Sequence, residues 1–322
     1  MPRVSVVLPV YNGEAFVAGA IRSIQDQTFS DWELLVCDDG SQDGSARACE
    51  SIAASDSRIR LVHNPKNLGL APTMNRLVGL AQGEFCAIQE QDDVSLPERL
   101  SVEVEEFERH PEAAVVAGIA GWMVDGDTVK GYFPLFLKIG DQYPADRDEL
   151  IRFLYVFQSK IANATAMIRM SLFRSRGLRF DDAARMAIDW QFYVDAAHSS
   201  GVRGIPKVLA NVRRGSDRAS LTSHKDLQFR EARRCIRVLY DRYRDRPDSP
   251  IDSRLYRRAL GNQLLLEARY FGPRKGVGLL LRSLWLWKTH RRAWKTAKQF
   301  VQRTFRYAMR PISPSRDAAR NG

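Results

Sequence analysis

The sequence predicts an α/β protein: a mostly parallel central sheet with flanking helices, followed by a basic helical C-terminal extension. Strand-like and helix-like patterns alternate over the first hundred residues, which implies parallel strands whose helical crossovers cover both sheet faces. Three acidic clusters each stand at the end of a strand-like run, at Asp38-Asp39, Glu90-Gln91-Asp92-Asp93 and Asp189. Open α/β sheets bind ligands at the carboxyl ends of their strands. Beyond residue 224 the pattern is helical almost to the end, and the positive charge collects there.

Each element follows from local pattern. Arg3–Pro9 is β-branched and apolar, and Tyr11-Asn12-Gly13 turns the chain. Ala15–Gln27 places Phe16, Ala20, Ile24 and Gln27 on one helical face with Ile21 beside them. Trp32–Cys37 reads as a second strand, and Asp43–Ala54 as a helix capped by Asp43 or Ser45. Arg58–His63 and Gly83–Ile88 are expected as strands around a helix at Leu70–Ala81. Pro97 opens a helix running to Arg109, since proline is tolerated in a first turn. Ala113–Val116 predicts a fifth strand, and Gly121–Pro134 a hairpin turning at Asp125-Gly126-Asp127. Further helices are expected at Asp146–Phe157, Met170–Arg176 and Ile188–His198, with extended segments at Ala164–Ile168 and Val202–Arg213. A polar loop, Arg214–Ser223, precedes the helical tail, which Pro247–Pro250 divides.

Composition narrows the function classes. The 322 residues can bury a substantial core in one large domain or two smaller ones. The net charge of +11 is uneven: residues 251–322 hold 17 Lys and Arg against three acids, a net of +14, which leaves −3 for the first 250. Cys37, Cys49, Cys86 and Cys235 lack CxxC spacing and read as buried reduced thiols, consistent with a reducing compartment. The five histidines have no ligand spacing, so a zinc site is not expected. Arg282 and Lys288 interrupt the best apolar run, and Val4–Val10 is too short for a secretory signal.

The acidic clusters admit two readings. Carboxylates gathered at strand ends repel one another and lose solvation, so a divalent cation or polar substrate must compensate them. Oxygen ligands suit Mg²⁺ or Mn²⁺, with open positions left for a substrate diphosphate. The plainer reading is an Asx-rich turn at Asp39–Gly44, a solvated loop at Glu90–Asp93 and a helix cap at Asp189. A calcium loop over Asp39–Glu50 is excluded, because a strand precedes it and Arg47 takes a ligand position.

Taken in order, several motifs decide between these. Val4-Ser5-Val6-Val7-Leu8-Pro9-Val10-Tyr11-Asn12-Gly13-Glu14 and Asp38-Asp39-Gly40-Ser41-Gln42-Asp43-Gly44 are followed by Asn64-Pro65-Lys66-Asn67-Leu68-Gly69-Leu70 and Asn75. Gly83-Glu84-Phe85 and Asp92-Asp93-Val94-Ser95-Leu96-Pro97-Glu98-Arg99-Leu100 complete the series. Together, over roughly residues 3–220, they closely resemble the family 2 inverting glycosyltransferases, which have the GT-A fold. The resemblance implies that Pro9, Val10, Tyr11 and Asp39 frame the nucleoside of a nucleotide-sugar donor, with Asp39 accepting from the base. It implies that Asp93 binds Mg²⁺ or Mn²⁺ at the donor diphosphate and that Asp92 faces the ribose or donor sugar. Asp189 matches the catalytic base, and Phe180-Asp181-Asp182 the segment that often precedes it. Three departures stand out: Glu90 where the family commonly has Asp, Ile188 in place of a glutamate beside the base, and Arg213-Arg214-Gly215 where relatives often place a histidine.

The resemblance implies an inverting hexosyltransferase, with uridine diphosphate as the leading donor nucleotide and a glycan or lipid-linked acceptor. The expected domains are a nucleotide-sugar-binding half over 1–110, an acceptor-side half over 111–224 and a basic helical region over 225–322. On a helical wheel Trp294, Ala297, Val301, Phe305 and Ala308 form an apolar stripe beside a face of Arg292, Lys295, Arg303, Arg306 and Arg310. That pattern predicts an anionic membrane surface as a partner and a cytoplasmic, peripheral location, against the plainer reading of a helical cap packed on the body with its Arg and Lys solvated outside. Nucleic acid is not expected beside an acid-lined site. The alternatives are a degenerate GT-A domain serving as a membrane-associated partner, which Glu90 and Ile188 keep open, and a sugar nucleotidyltransferase. The latter lacks its expected glycine-rich loop after the first strand.

Overall fold

The computed structural model describes residues 1–123, 128–158, 160–213 and 225–286, with all their side chains except those of 272–275 and 284. It divides into two units, 1–252 and 253–322. In the first unit β1 (Val4–Val10), β2 (Trp32–Asp38), β3 (Ile59–His63) and β4 (Phe85–Ile88) alternate with α1 (Val17–Gln25), α2 (Ser45–Ala53) and α3 (Leu70–Leu80). These strands run parallel in the order β3-β2-β1-β4. The chain builds outward from β1 to β3 and then returns to β4 on the other side of β1. That reversal opens a crevice at the carboxyl ends of β1 and β4. Val6, Leu8, Leu34, Val36 and Ala87 pack with Val17, Ile21 and Ile24 of α1 in one core.

The sheet continues through β5 (Val94–Ser95), β6 (Ala113–Met123), β8 (Ala166–Arg169) and β9 (Gly201–Arg213), with β7 (Val129–Phe133) paired to β6. Here directions mix: β4 and β6 flank β8 antiparallel, β6 and β9 are parallel, and β5 pairs antiparallel with β9. The helices are α4 (Arg99–Arg109), α5 (Leu135–Lys138), α6 (Arg147–Phe157), α7 (Ser171–Arg174), α8 (Ile188–Ala197) and α9 (Lys225–Tyr243). The α/β class and the parallel first half hold as expected.

Several expected boundaries are corrected. Ala113–Val116 and the first arm of the hairpin form one eleven-residue strand. Gly118 and its small neighbours let β6 pass close to β9, where an added Cβ would lie 2.5 Å from Leu209. The hairpin itself is present as β6 and β7, and its expected turn at Asp125-Gly126-Asp127 lies outside the described residues. The helix expected over Met170–Arg176 is only four residues long, ending before Gly177 at φ 65°. Asp146 caps α6 rather than belonging to it, accepting from the Glu149 amide at 2.8 Å. All four cysteines are free and buried, as expected.

The second unit contains α10 (Ser253–Leu286). Ser283 Oγ donates to the Gly261 carbonyl at 2.8 Å, although twenty-two straight helical residues would separate them by about 33 Å. The segment therefore doubles back, and Pro273 lies between its two arms. Ala268 and Leu280 meet in the seam. The apolar stripe expected at Trp294–Ala308 lies outside the described residues. Among those described, no helix is long and apolar enough to cross a membrane.

Candidate active site

The end of β1 is tied to the acidic clusters through its backbone. Val10 pairs with Asp38 across the sheet, and the Asp39 amide donates to the Val10 carbonyl at 2.7 Å. Gln91 clasps Tyr11, accepting from its amide at 2.8 Å and donating to its carbonyl at 3.1 Å. Tyr11 is 42% exposed, so its ring is open to a ligand. Asp39 is buried, and its Oδ1 accepts from Asn64 Nδ2 and the Leu68 amide, its Oδ2 from the Gly69 amide. A carboxylate has roughly four acceptor positions, so about one remains. Asp39 thus holds the turn into α3, where Gly69 adopts φ 96°.

The loop after β4 is built for rigidity. Gln89 is buried and donates to the carbonyls of Glu90 and Asp93. Its own carbonyl accepts from Ser95 Oγ and from Arg99 Nη1. Arg99 has no exposed surface, pairs with Glu103 at 3.0 Å, and also donates to the carbonyls of Ile88 and Ala166. Burial pushes the Glu103 carboxyl up to about 7, against the opposing pull of Arg99. Glu90, Asp92 and Asp93 can each offer an oxygen within 4.8 Å of the others.

Asp93 is tightly enclosed. It is 1% exposed, its Oδ1 accepts from the Arg213 amide at 3.1 Å, and its Oδ2 is buried without a partner. Burial raises its carboxyl well above the usual range, and the charge of Glu90 adds to the rise. An orphaned carboxylate oxygen beside two further carboxylates fits a hard divalent cation, whose charge would satisfy all three.

A cavity of about 380 Å³ gathers Glu90, Asp93 and Asp189, with Asn163, Met186 and Trp190 among its other walls. Asp189 stands in the first turn of α8, where a helix N-terminus favours negative charge. Trp190 pins that turn by donating from Nε1 to the Leu154 carbonyl. Ala187 and Gln158, both lining the cavity, hold φ 58° and 65°, strained values for residues with a Cβ. The structure therefore joins Glu90 and Asp93 with the candidate base in one space, while Pro9, Val10, Tyr11, Asp39 and Asp92 lie outside its lining.

Sequence reading missed several contributors. Asn163 carries no periodic or motif signal, Gln91 entered only as a letter of the second acidic cluster, and their partners are 73 and 80 residues away. Asn75 was legible only as a motif letter; it clamps Phe180 through both backbone groups and reaches the Asp182 carboxylate at 2.7 Å. Arg213 lies over the Phe16 ring and gives its amide to Asp93, whereas Arg214 is outside the described residues.

The likeness to known proteins agrees with this geometry. The chain is 41% identical over 116 residues to EpsE of Bacillus subtilis (strain 168), covering 36% of this chain and 42% of that one. It is 37% identical over 101 residues to the Escherichia coli UDP-Glc:alpha-D-GlcNAc-diphosphoundecaprenol beta-1,3-glucosyltransferase WfgD, covering 31% and 39%. The chain thus matches about two fifths of either relative. Among solved structures, S. aureus TarS 1–349 superposes with a TM-score of 0.60 at 17% identity, over 96% of this chain and 92% of that one. The mannosyltransferase PcManGT from Pyrobaculum calidifontis, solved with GDP-Man and Mn²⁺, gives 0.57 at 18% over 94% and 86%. Both superpositions show a shared GT-A fold. The model of glycosyl transferase family 2 matches residues 5–174, more than half the sequence, and the protein belongs to that family.

Proposed function

We propose that this glycosyltransferase is metal-dependent and inverting, moving a sugar from a nucleoside diphosphate donor to a hydroxyl of a lipid-linked or polysaccharide acceptor. The observation that carries this reading is the single cavity lined by Glu90, Asp93 and Asp189. Asp189 would take the acceptor's proton as its oxygen attacks, because a hydroxyl is a poor nucleophile until a positioned carboxylate accepts that proton. No second carboxylate is needed as a nucleophile, so one displacement inverts the anomeric centre. Glu90 and Asp93, with Asp92 beside them, would hold Mg²⁺ or Mn²⁺, which would neutralise charge on the departing diphosphate. Asp39 and the Pro9-Val10-Tyr11 strand end would frame the nucleoside. A UDP-sugar is the first donor to test, in keeping with TarS, solved with UDP-GlcNAc, and with the donor in the name of WfgD.

The second unit supports a peripheral location. Val277, Leu281 and Trp285 recur at helical spacing on an exposed face, with Arg282 exposed beside them, and residues 251–322 carry +14. Aromatic and apolar groups flanked by cations suit an anionic lipid interface.

Screening UDP-, GDP- and dTDP-sugars for release of nucleoside diphosphate, with Mn²⁺, Mg²⁺ or a chelator, tests the reading. Turnover with one donor, abolished by the chelator, is expected, and NMR of the transferred sugar should show an inverted anomer. Undiminished turnover in chelator would refute the metal, and a retained anomer would refute the single displacement. Donor binding without turnover would favour the degenerate alternative.

A further inference from the structure

We infer that Asn163 and Tyr193 are positioning residues for Glu90, linking the acidic cluster to the helix that carries Asp189; the inference rests on the metal reading above. Glu90 reaches one methylene further than an aspartate would, so its carboxylate needs an external restraint to keep a fixed direction. Asn163 provides one, donating from Nδ2 to Glu90 Oε1 at 3.0 Å. Tyr193 in turn donates from its hydroxyl to Asn163 Oδ1 at 2.9 Å. The direction of this chain is fixed chemically. An ionised carboxylate only accepts, so the amide must present its NH₂ to Glu90 and its carbonyl to the phenol, which then has to donate.

The anchor is rigid. Tyr193 has no exposed surface and packs edge-on against Phe192, which itself stacks on Phe173 and Phe180. Burial, and after it the charge of Asp189, raises the Tyr193 hydroxyl well above its ordinary value, so it stays a proton donor at neutral pH. Asn163 begins a short 3-10 turn at Asn163–Thr165, whose Thr165 hydroxyl donates to the Gly118 carbonyl at 3.0 Å. Tyr193 lies four residues after Asp189, on the same face of α8. One helix face therefore holds both the candidate base and the last link of the chain that orients Glu90.

Outer hydrogen-bond partners of metal ligands typically change metal affinity by 10–100-fold when removed. Tyr193→Phe deletes a single hydroxyl and keeps the aromatic packing, so it separates orientation from core loss. Calorimetric titration of Mn²⁺ into wild type, Asn163→Ala, Tyr193→Phe, Glu90→Asp and the Glu90→Asp/Asn163→Ala double variant, with thermal melts alongside, tests the inference. Asn163→Ala should weaken Mn²⁺ binding about tenfold or more, and Tyr193→Phe several-fold. The double variant should bind no worse than Glu90→Asp, since a shortened side chain has already left Asn163. Mn²⁺ affinity unchanged in both single variants, even with lower melting temperatures, would overturn the positioning role while leaving the metal reading intact. So would strictly additive losses in the double variant. A wild type that binds no Mn²⁺ would overturn the metal reading and this inference with it.

Discussion

Asp39 directly follows β2 and Asp93 directly precedes β5, and both are buried, at 4% and 1% exposed. Asp39 accepts three hydrogen bonds from its own chain, whereas Asp93 accepts one and leaves its second oxygen without a partner. The first carboxylate is spent chiefly on holding a turn. The second is held in place by Arg213 and the Gln89 scaffold, yet its Oδ2 meets no donor of the protein and faces the Glu90 carboxyl instead, which costs stability unless a proton or a cation answers it. Two acids of the same type in the same family motifs therefore do different work, and what separates them is the count of donors around each. Asp189 extends the contrast, since it shares the cavity of Asp93 and not the surroundings of Asp39.

Mutations can break that comparison. The largest effect is expected at Asp189: Asp189→Asn keeps the shape but removes the proton acceptor, and kcat should fall about 10²–10⁴-fold. Calorimetry should show nucleoside diphosphate binding nearly unchanged; equal loss of both would assign Asp189 to structure. Asp93→Asn should cost on the order of 10²–10³-fold in turnover, with no recovery at saturating Mn²⁺. Its stability should move the other way. A carboxyl whose folded pKa is raised binds extra protons in the native state, so its contribution is present below the unfolded value near ~4 and is lost as pH rises through the folded value. Metal-free Asp93→Asn should therefore equal or exceed wild type in melting temperature at neutral pH and lose less stability between pH 4 and 8. Glu103 titrates in the same window through its value of about 7, so the readout is the difference between the two proteins.

Asp39→Ala sets the opposite pattern. It strands two backbone amides and Asn64, and should lower stability by about 2–4 kcal/mol in a denaturant titration. With donor saturating, kcat should change little while KM rises, because contacts to a base are much the same in ground and transition states. A KM that does not move would make Asp39 purely a scaffold. The smallest effect on chemistry should come from the second unit. Replacing Val277, Leu281 and Trp285 with alanine should reduce sedimentation with anionic vesicles, most clearly at low salt, and leave donor hydrolysis unchanged. Vesicle binding that ignores both the substitutions and salt would refute the interfacial surface.

Local pattern determined a good deal here. The β1–β4 alternation was legible because apolar strands covered on both faces and amphipathic helices each leave a short-range signature, as Val4–Val10 and Val17–Gln25 do. Family motifs at Asp38-Asp39 and Asp92-Asp93 pointed to the end of β2 and to the loop between β4 and β5. Past residue 110 the signal thinned. The strand at Ala113–Met123 is buried on both faces and rich in small residues, so nothing in its periodicity marked it as continuous. The two-residue strand Val94–Ser95 exists only because β9 pairs with it, 115 residues on. The company each acid keeps was decided by tertiary structure alone. Asn64, Leu68 and Gly69 close on Asp39 from a neighbouring loop, Asn163 reaches Glu90 and is itself held by Tyr193 of α8, and Asp189 comes to line the cavity of Asp93 only when α8 packs against the sheet. The physical reason is that sequence periodicity reports which face of an element is buried. Whether a buried polar atom is satisfied depends on donors brought to it from distant parts of the chain.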